Sequence, residues 1–175
     1  MAISFFLVLT KTLLEYSTKI EANSTIAMAA AFAPSALATF NAAARILIGP
    51  MADKFGNKRV FITLFILQVA TIAALYPAGK STVLLAVCAG VIGWNYGAMF
   101  TLFPATLLQF YGASAQGSNY GMLFTSWGIA GFFGPFLGGK LQVMTGSFMV
   151  PFMVAAALVG FAALLLILLK APEKK

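Results

Sequence analysis

The chain has 175 residues, of which 61% are hydrophobic and 9% are charged, and its formal net charge is +7. Soluble domains carry roughly 25% charged residues, so this composition excludes a soluble fold that shields its apolar surface from water. The basic residues cluster between and after apolar runs and form no stripe, which also excludes a nucleic-acid-binding surface. Composition therefore predicts an integral membrane protein.

Long uncharged runs predict five membrane-spanning helices. Residues 60–79, 81–139 and 141–169 contain no charged residue, and one span needs about 20 mainly apolar residues. Turn-forming residues divide the chain into helices. The predicted helices cover residues 25–52, 60–78, 82–111, 118–144 and 148–169. The runs do not alternate apolar and polar residues, which excludes the strands of a β-barrel. The predicted fold class is an all-α, polytopic transmembrane helix bundle.

The N-terminal segment 1–24 differs from these five spans. MAISFFLVLT is apolar but too short to cross a bilayer before Lys11, Glu15 and Lys19 interrupt it. A signal peptide would carry its basic residue before the apolar core, and here Lys11 follows the core. We therefore interpret residues 1–24 as a truncated preceding helix and an outward-facing segment.

The distribution of basic residues predicts the orientation of the bundle. Lys54, Lys58 and Arg59 follow the first predicted helix, and the tail 170–175 after the last helix carries three lysines. With five alternating spans, loop 53–59 and the C-terminus share a side, and the positive-inside rule makes that side the cytoplasm.

Residues 49–59, GPMADKFGNKR, form a motif of spaced glycines and charges. Its defining positions are Gly49, Asp53, Lys54, Gly56, Lys58 and Arg59. Gly56 permits the positive φ of a tight reversal, and Gly49 permits the close approach of a neighbouring helix. The basic residues attract the segment to anionic lipid headgroups. A plain positively charged turn is the alternative interpretation.

Arg45 is a charged residue inside the first predicted span. It lies eight residues before Asp53, or roughly 12 Å along a helix, and burying a charge there costs at least about 2.5–3.5 kcal/mol. Asn41 lies one turn away on the same face, which Pro34 and Ala38 continue. A guanidinium binds carboxylate bidentately, so this face predicts a carboxylate site. Snorkelling to headgroups and a structural ion pair with another half of the protein are the alternatives.

The third and fourth predicted helices carry paired aromatic residues and spaced glycines. Tyr96 and Phe100 share one helix face, whereas Trp94 and Asn95 point elsewhere. The aromatic pair, like Trp127, either lines a cavity or packs against lipid and neighbouring helices. The glycines predict close helix contacts. They are Gly90, Gly93, Gly97, Gly128, Gly131, Gly134 and Gly138.

The 49–59 motif, placed between two apolar spans, resembles the cytoplasmic loop signature of the major facilitator superfamily. In that superfamily the signature follows the second helix and, in weaker form, the eighth. Four predicted spans follow it here, so the resemblance implies helices eight to twelve. It further implies that residues 25–175 are a C-terminal transporter domain with a short cytoplasmic tail, and that Asp53 meets a helix of an N-terminal half.

A finer resemblance rests on NAAARILIGPMADKFG, WNYGAMFTLFPATLLQFYG and NYGMLF, which resemble segments of the oxalate/formate antiporter family and its monocarboxylate-carrying relatives. In that family an arginine on helix eight binds the substrate carboxylate, and Arg45 occupies its position. Tyr96 and Phe100 align with cavity-lining aromatics, and Trp127 aligns with a lysine of the oxalate carrier. The resemblance implies that these four residues and Asn41 bind a small carboxylate in a bacterial inner membrane. The missing second cation favours a monocarboxylate over oxalate.

Enzymatic activity is not expected, because the sequence shows no nucleophile–base pair, metal-ligand cluster or phosphate loop. Neither a cofactor nor a metal is expected. The chain contains no histidine, and the predicted spans offer no acidic residue for proton transfer before Asp53. Coupling therefore comes from the other half, or the protein exchanges one anion for another. The alternative class is a truncated, non-transporting fragment or a membrane subunit that needs a separate partner half.

Overall fold

The computed structural model of the chain describes residues 24–79 and 81–169, and its regular structure there is entirely α-helical. The predicted all-α class is therefore confirmed. The predicted truncated helix in residues 1–23 lies outside the described residues. Five helices follow one another along the chain and match the five predicted ones. They are α1 (Ser24–Phe55), α2 (Asn57–Ala78), α3 (Thr82–Tyr111), α4 (Gln116–Thr145) and α5 (Met149–Leu168).

Three of the described helices, α2, α3 and α5, are long and apolar enough to cross a membrane. The other two, α1 and α4, are 32 and 30 residues long but mix alanine and glycine with polar residues. Helices that face a polar cavity carry such residues. That α1 and α4 also span the bilayer stays a prediction.

The predicted loop 53–59 is in fact a one-residue break between two helices. Asp53 and Lys54 belong to the last turn of α1, and Asn57 begins α2. Exposed charged side chains do not interrupt backbone hydrogen bonding, and the Gly56 N–H still donates to the carbonyl of Ala52 at 2.8 Å. Gly56 has a φ of 86°, which a residue with a Cβ rarely adopts. The predicted positive φ is confirmed, although the predicted loop is too long.

Helices α1 and α3 form the most extensive helix pair among the described residues. Their backbones nearly touch, because a Cβ added at Gly93 would collide with the carbonyl group of Leu37. A Cβ added at Gly97 would likewise collide with the carbonyl group of Asn41. Such close backbone approach is typical of small-residue interfaces between membrane helices. The contact predicted for these glycines is confirmed.

The same prediction is wrong for two glycines of α4 as far as the described residues are concerned. A Cβ at Gly128 or Gly138 would meet open space. Helix α4 also contributes no buried residue to the bundle. It packs against α3 and α5, while large apolar side chains such as Phe132 and Phe136 stay exposed, so one face of α4 is left without a neighbour in the described part of the chain.

Two apolar clusters join the other four helices. The first lies between α1, α2 and α3, and the second between α2, α3 and α5. A polar contact crosses from α3 to α2, where the side-chain amide of the buried Asn95 donates to Oε1 of the half-buried Gln68 at 2.6 Å. Trp94 packs against the first cluster. Both residues therefore point away from the face of Tyr96, as predicted. The buried members are Ala44, Ile48, Ala52, Val60, Phe61, Leu64, Ala98 and Leu102 in the first cluster, and Ile72, Leu75, Ala78, Leu85, Cys88, Ile92, Phe152 and Ala156 in the second.

Candidate functional site

Arg45 lies on the exposed side of α1, and two neighbours hold its guanidinium in place. Its Nε donates to Asn41 Oδ1 at 3.0 Å, one helical turn earlier. Its Cζ lies 5.0 Å from the centroid of the Phe100 ring on α3, within the range of a cation–π contact. Because Nε is engaged by Asn41, the two terminal nitrogens are left as a pair of donors with a fixed direction. Such a pair matches the two oxygens of a carboxylate.

Phe100 is the centre of a group of rings from α3 and α4. The centroids of Tyr96, Phe124 and Trp127 lie 4.9, 6.1 and 6.3 Å from that of Phe100. Tyr120 extends the group, at 4.7 Å from Phe124. The rings meet edge to face, with interplanar angles of 61–78° to Phe100, an arrangement that aromatic quadrupoles favour. We call these five residues the aromatic cluster.

The structure brings the five predicted site residues, Arg45, Asn41, Tyr96, Phe100 and Trp127, into one connected group through these contacts. Sequence reasoning missed Tyr120 and Phe124. Tyr120 and Phe124 are four residues apart, and Phe124 and Trp127 are three apart, so all three side chains lie on one helical face. This spacing is the sequence signal that could have identified Tyr120 and Phe124.

The group opens on the surface of the five-helix unit and does not lie in an enclosed pocket. Arg45 is exposed, and Phe124 and Trp127 are 37% and 40% exposed. Lys140, the cation of α4, is also exposed. It comes thirteen residues after Trp127, roughly 20 Å farther along the helix. A ligand on the Arg45 guanidinium is therefore out of reach of Lys140.

The motif residues lie at one end of the bundle with the C-terminus of α5. Lys58 Nζ donates to the carbonyl oxygens of Ile167 and Leu169 at 2.9 and 2.6 Å. Asn57 Nδ2 donates to Thr106 Oγ1 at 3.0 Å. The segment 53–59 and the C-terminal end of α5 are thus at the same end of the bundle, as the span count predicts.

Asp53 is exposed beside a cavity of about 350 Å³ at this end of the bundle. The cavity is lined by Ala52, Asp53, Gly56, Asn57, Ala105 and Gln109. A Cβ at Gly49 would meet open space, so the close helix contact predicted at Gly49 is wrong for the described residues. Ile48, which is fully buried, makes the contact of α1 with the core instead.

Lys58→Met is expected to loosen the end of α5. The ammonium satisfies carbonyls that have no partner within the helix and complements the negative end of the helix dipole. Because the contact is exposed to solvent, its loss should cost about 1 kcal/mol. Thermal unfolding in detergent should show a lower midpoint for Lys58→Met than for Arg59→Met, which removes the same charge one residue later. Equal midpoints for the two variants would contradict this role.

Comparison with known proteins identifies a family. The sequence profile of the Major Facilitator Superfamily matches residues 1–175. The uncharacterized MFS-type transporter YhjX of Escherichia coli (strain K12) is 27% identical to this chain over 102 residues, which are 58% of this chain and 25% of that protein. The chain thus matches about a quarter of the length of this curated relative. Neither similarity specifies a substrate.

Proposed function

This chain belongs to the Major Facilitator Superfamily, and on that premise we propose that it forms part of a secondary active transporter for a small monocarboxylate. The observation that carries the proposal is the Arg45 guanidinium, oriented by Asn41 at 3.0 Å and lying over Phe100 at 5.0 Å. Its terminal nitrogens bind the carboxylate, and the aromatic cluster contacts the rest of the substrate.

A single cation at the site favours a monocarboxylate over oxalate. Trp127 occupies the position where the oxalate carrier, by resemblance, has a lysine. Its ring lies 6.3 Å from Phe100 and presents an apolar surface. A second carboxylate beside it would lose its hydration without gaining a countercharge, which is costly in a low-dielectric site. Exchange of one monocarboxylate for another needs no titratable group in these helices, so we propose antiport.

The exposed position of the site supports a second half as partner. Arg45 and Trp127 lie on a surface, whereas a transport site lies between two units that rock about it. We propose that an N-terminal half, in the same or another chain, covers this surface within a bacterial inner membrane. The motif segment 53–59 and the C-terminus then face the cytoplasm, since each carries a cluster of three basic residues.

Counterflow in proteoliposomes made with the complete transporter tests the function. Vesicles loaded with unlabelled acetate or benzoate should accumulate the labelled acid, and unlabelled oxalate should compete at least tenfold less well. Uptake that is equal in loaded and empty vesicles would contradict antiport. The absence of carboxylate transport with any loading would overturn the proposal and favour a non-transporting fragment or subunit.

Trp127→Lys is expected to shift the preference toward dicarboxylates. A lysine there places a second cation beside the Arg45 site, and a second charge-assisted contact strengthens oxalate binding by about tenfold. Competition by oxalate against labelled benzoate measures the shift. Trp127→Gln is the control, since it removes the ring without adding charge and should leave oxalate weak. Equal oxalate affinity in the two variants would contradict the placement of Trp127 beside the substrate.

A further inference from the structure

We infer that the substrate carries an aromatic ring that is attached to its carboxylate either directly or through one carbon atom. This inference rests on the proposed function, because it concerns the part of the substrate that extends beyond Arg45. The supporting observations are the residue types and the ring orientations of the aromatic cluster next to the Arg45 guanidinium.

The aromatic cluster supplies far more ring surface than a two- or three-carbon acid covers. Phe100 lies under the guanidinium, and Phe124 and Trp127 flank Phe100 on the side of α4. Phe124 and Trp127 are also 5.7 Å from each other, at an angle of 59°. Phe100, Phe124 and Trp127 are thus in mutual contact, and Phe124 and Trp127 are more than one third exposed, so they present ring surface beside the guanidinium on which a further ring can pack.

The orientation of these rings favours a planar, unsaturated group over a saturated one. The rings of the cluster meet at steep angles, so each presents its electron-rich face or its positively polarised edge to the space beside it. Another aromatic ring can continue this edge-to-face pattern, and such pairs gain stability beyond the area they bury. A saturated ring of the same size gains the burial of apolar area alone.

The fixed direction of the Arg45 guanidinium limits how far the ring can stand from the carboxylate. Asn41 holds the Nε edge and Phe100 holds one face, so a carboxylate bound to the terminal nitrogens stays next to Phe100. A ring joined to that carboxylate by a long chain would pass beyond the cluster. Acids with the ring close to the carboxylate, such as benzoate and phenylacetate, therefore belong to the inferred class.

Equilibrium binding to the transporter purified from its native membrane tests the inference. Benzoate, cyclohexanecarboxylate and acetate serve as probes, and quenching of tryptophan fluorescence reports binding near Trp127. We expect benzoate to bind about three- to tenfold more tightly than cyclohexanecarboxylate and more tightly still than acetate. Cyclohexanecarboxylate binding as tightly as benzoate would overturn the inference.

Two phenylalanines of α4 give a matched pair of variants. Phe124→Leu keeps an apolar residue in the cluster but removes its ring, and should weaken benzoate about fivefold while leaving acetate unchanged. Phe133→Leu makes the same change at a residue that is 59% exposed and contacts Phe132, and should leave both probes unchanged. If Phe124→Leu leaves benzoate binding unchanged, the inference is wrong.

Failure of the inference and failure of the proposed function give different results. Binding of all three acids with equal affinity, abolished by Arg45→Gln, overturns the inference and leaves the carboxylate site intact. Binding of none of them, or binding that Arg45→Gln does not alter, overturns the proposed function itself and the inference with it.

Discussion

Arg45→Lys is expected to abolish carboxylate transport, with binding weakened by about a hundredfold. Lysine keeps the positive charge, but its ammonium cannot present two parallel N–H donors to a carboxylate. It also cannot keep the contact that Arg45 Nε makes with Asn41 at 3.0 Å while binding substrate. Losing one hydrogen bond to a charged group costs about 1.5–3 kcal/mol, which corresponds to roughly a hundredfold in binding. Counterflow of labelled benzoate in proteoliposomes measures transport, and fluorescence quenching measures binding.

The control for Arg45→Lys is Arg59→Lys, the same substitution at an exposed residue of the motif. It should transport at close to the rate of the unsubstituted protein. Asn41→Ala should fall between the two, because the guanidinium keeps its charge and loses one of the contacts that orient it. Transport by Arg45→Lys at the unsubstituted rate would show that the substrate carboxylate binds elsewhere, and would remove the basis of the proposed site.

Local periodicity explains why some parts of this site are predictable from sequence. Asn41 and Arg45 are four residues apart, and so are Tyr96 and Phe100, so an ordinary helix places each pair in contact. Helix ends were predictable for a similar reason, since turn residues such as Gly112 and Gly146 stop the helical hydrogen bonding locally. The exception is the segment 53–59, which its turn-forming residues predict to be a loop, whereas the structure continues both helices through it and leaves only Gly56 between them.

The rest of the site depends on how separate helices meet, which local patterns do not encode. Phe124 joins the cluster because α4 crosses α3 beside Phe100, and no spacing within α4 specifies that crossing. Gly97 and Gly128 likewise look alike in the sequence, each in a run of spaced glycines. One lies against the backbone of Asn41 and the other faces open space. Whether a glycine marks a contact thus depends on its neighbour and not on its own pattern.

Gly97→Ala is expected to destabilise the bundle, although it adds only one methyl group. Its Cβ would collide with the backbone of Asn41. The collision can be relieved only by separating α1 from α3, because Ala44 and Ala98 beside it are fully buried and leave no free space. Overpacking of this kind costs about 1–3 kcal/mol. Alanine gains about 1 kcal/mol over glycine in helix propensity, which offsets part of the loss. We expect a net decrease in the free energy of unfolding, measured by thermal or denaturant unfolding in detergent.

Gly160→Ala is the control for Gly97→Ala, because it gains the same helix propensity without a backbone collision. Its Cβ would lie 3.8 Å from Val69 Cγ2, which is an ordinary van der Waals contact, so this variant should be as stable as the unsubstituted protein or more stable. Gly97→Ala should also weaken carboxylate binding, because moving α1 away from α3 shifts Arg45 off the Phe100 ring. A Gly97→Ala protein that unfolds like Gly160→Ala and binds benzoate normally would show that the backbones of α1 and α3 are not in close contact at Gly97. Loss of stability together with binding would instead show that the packing of these two helices sets the position of the guanidinium.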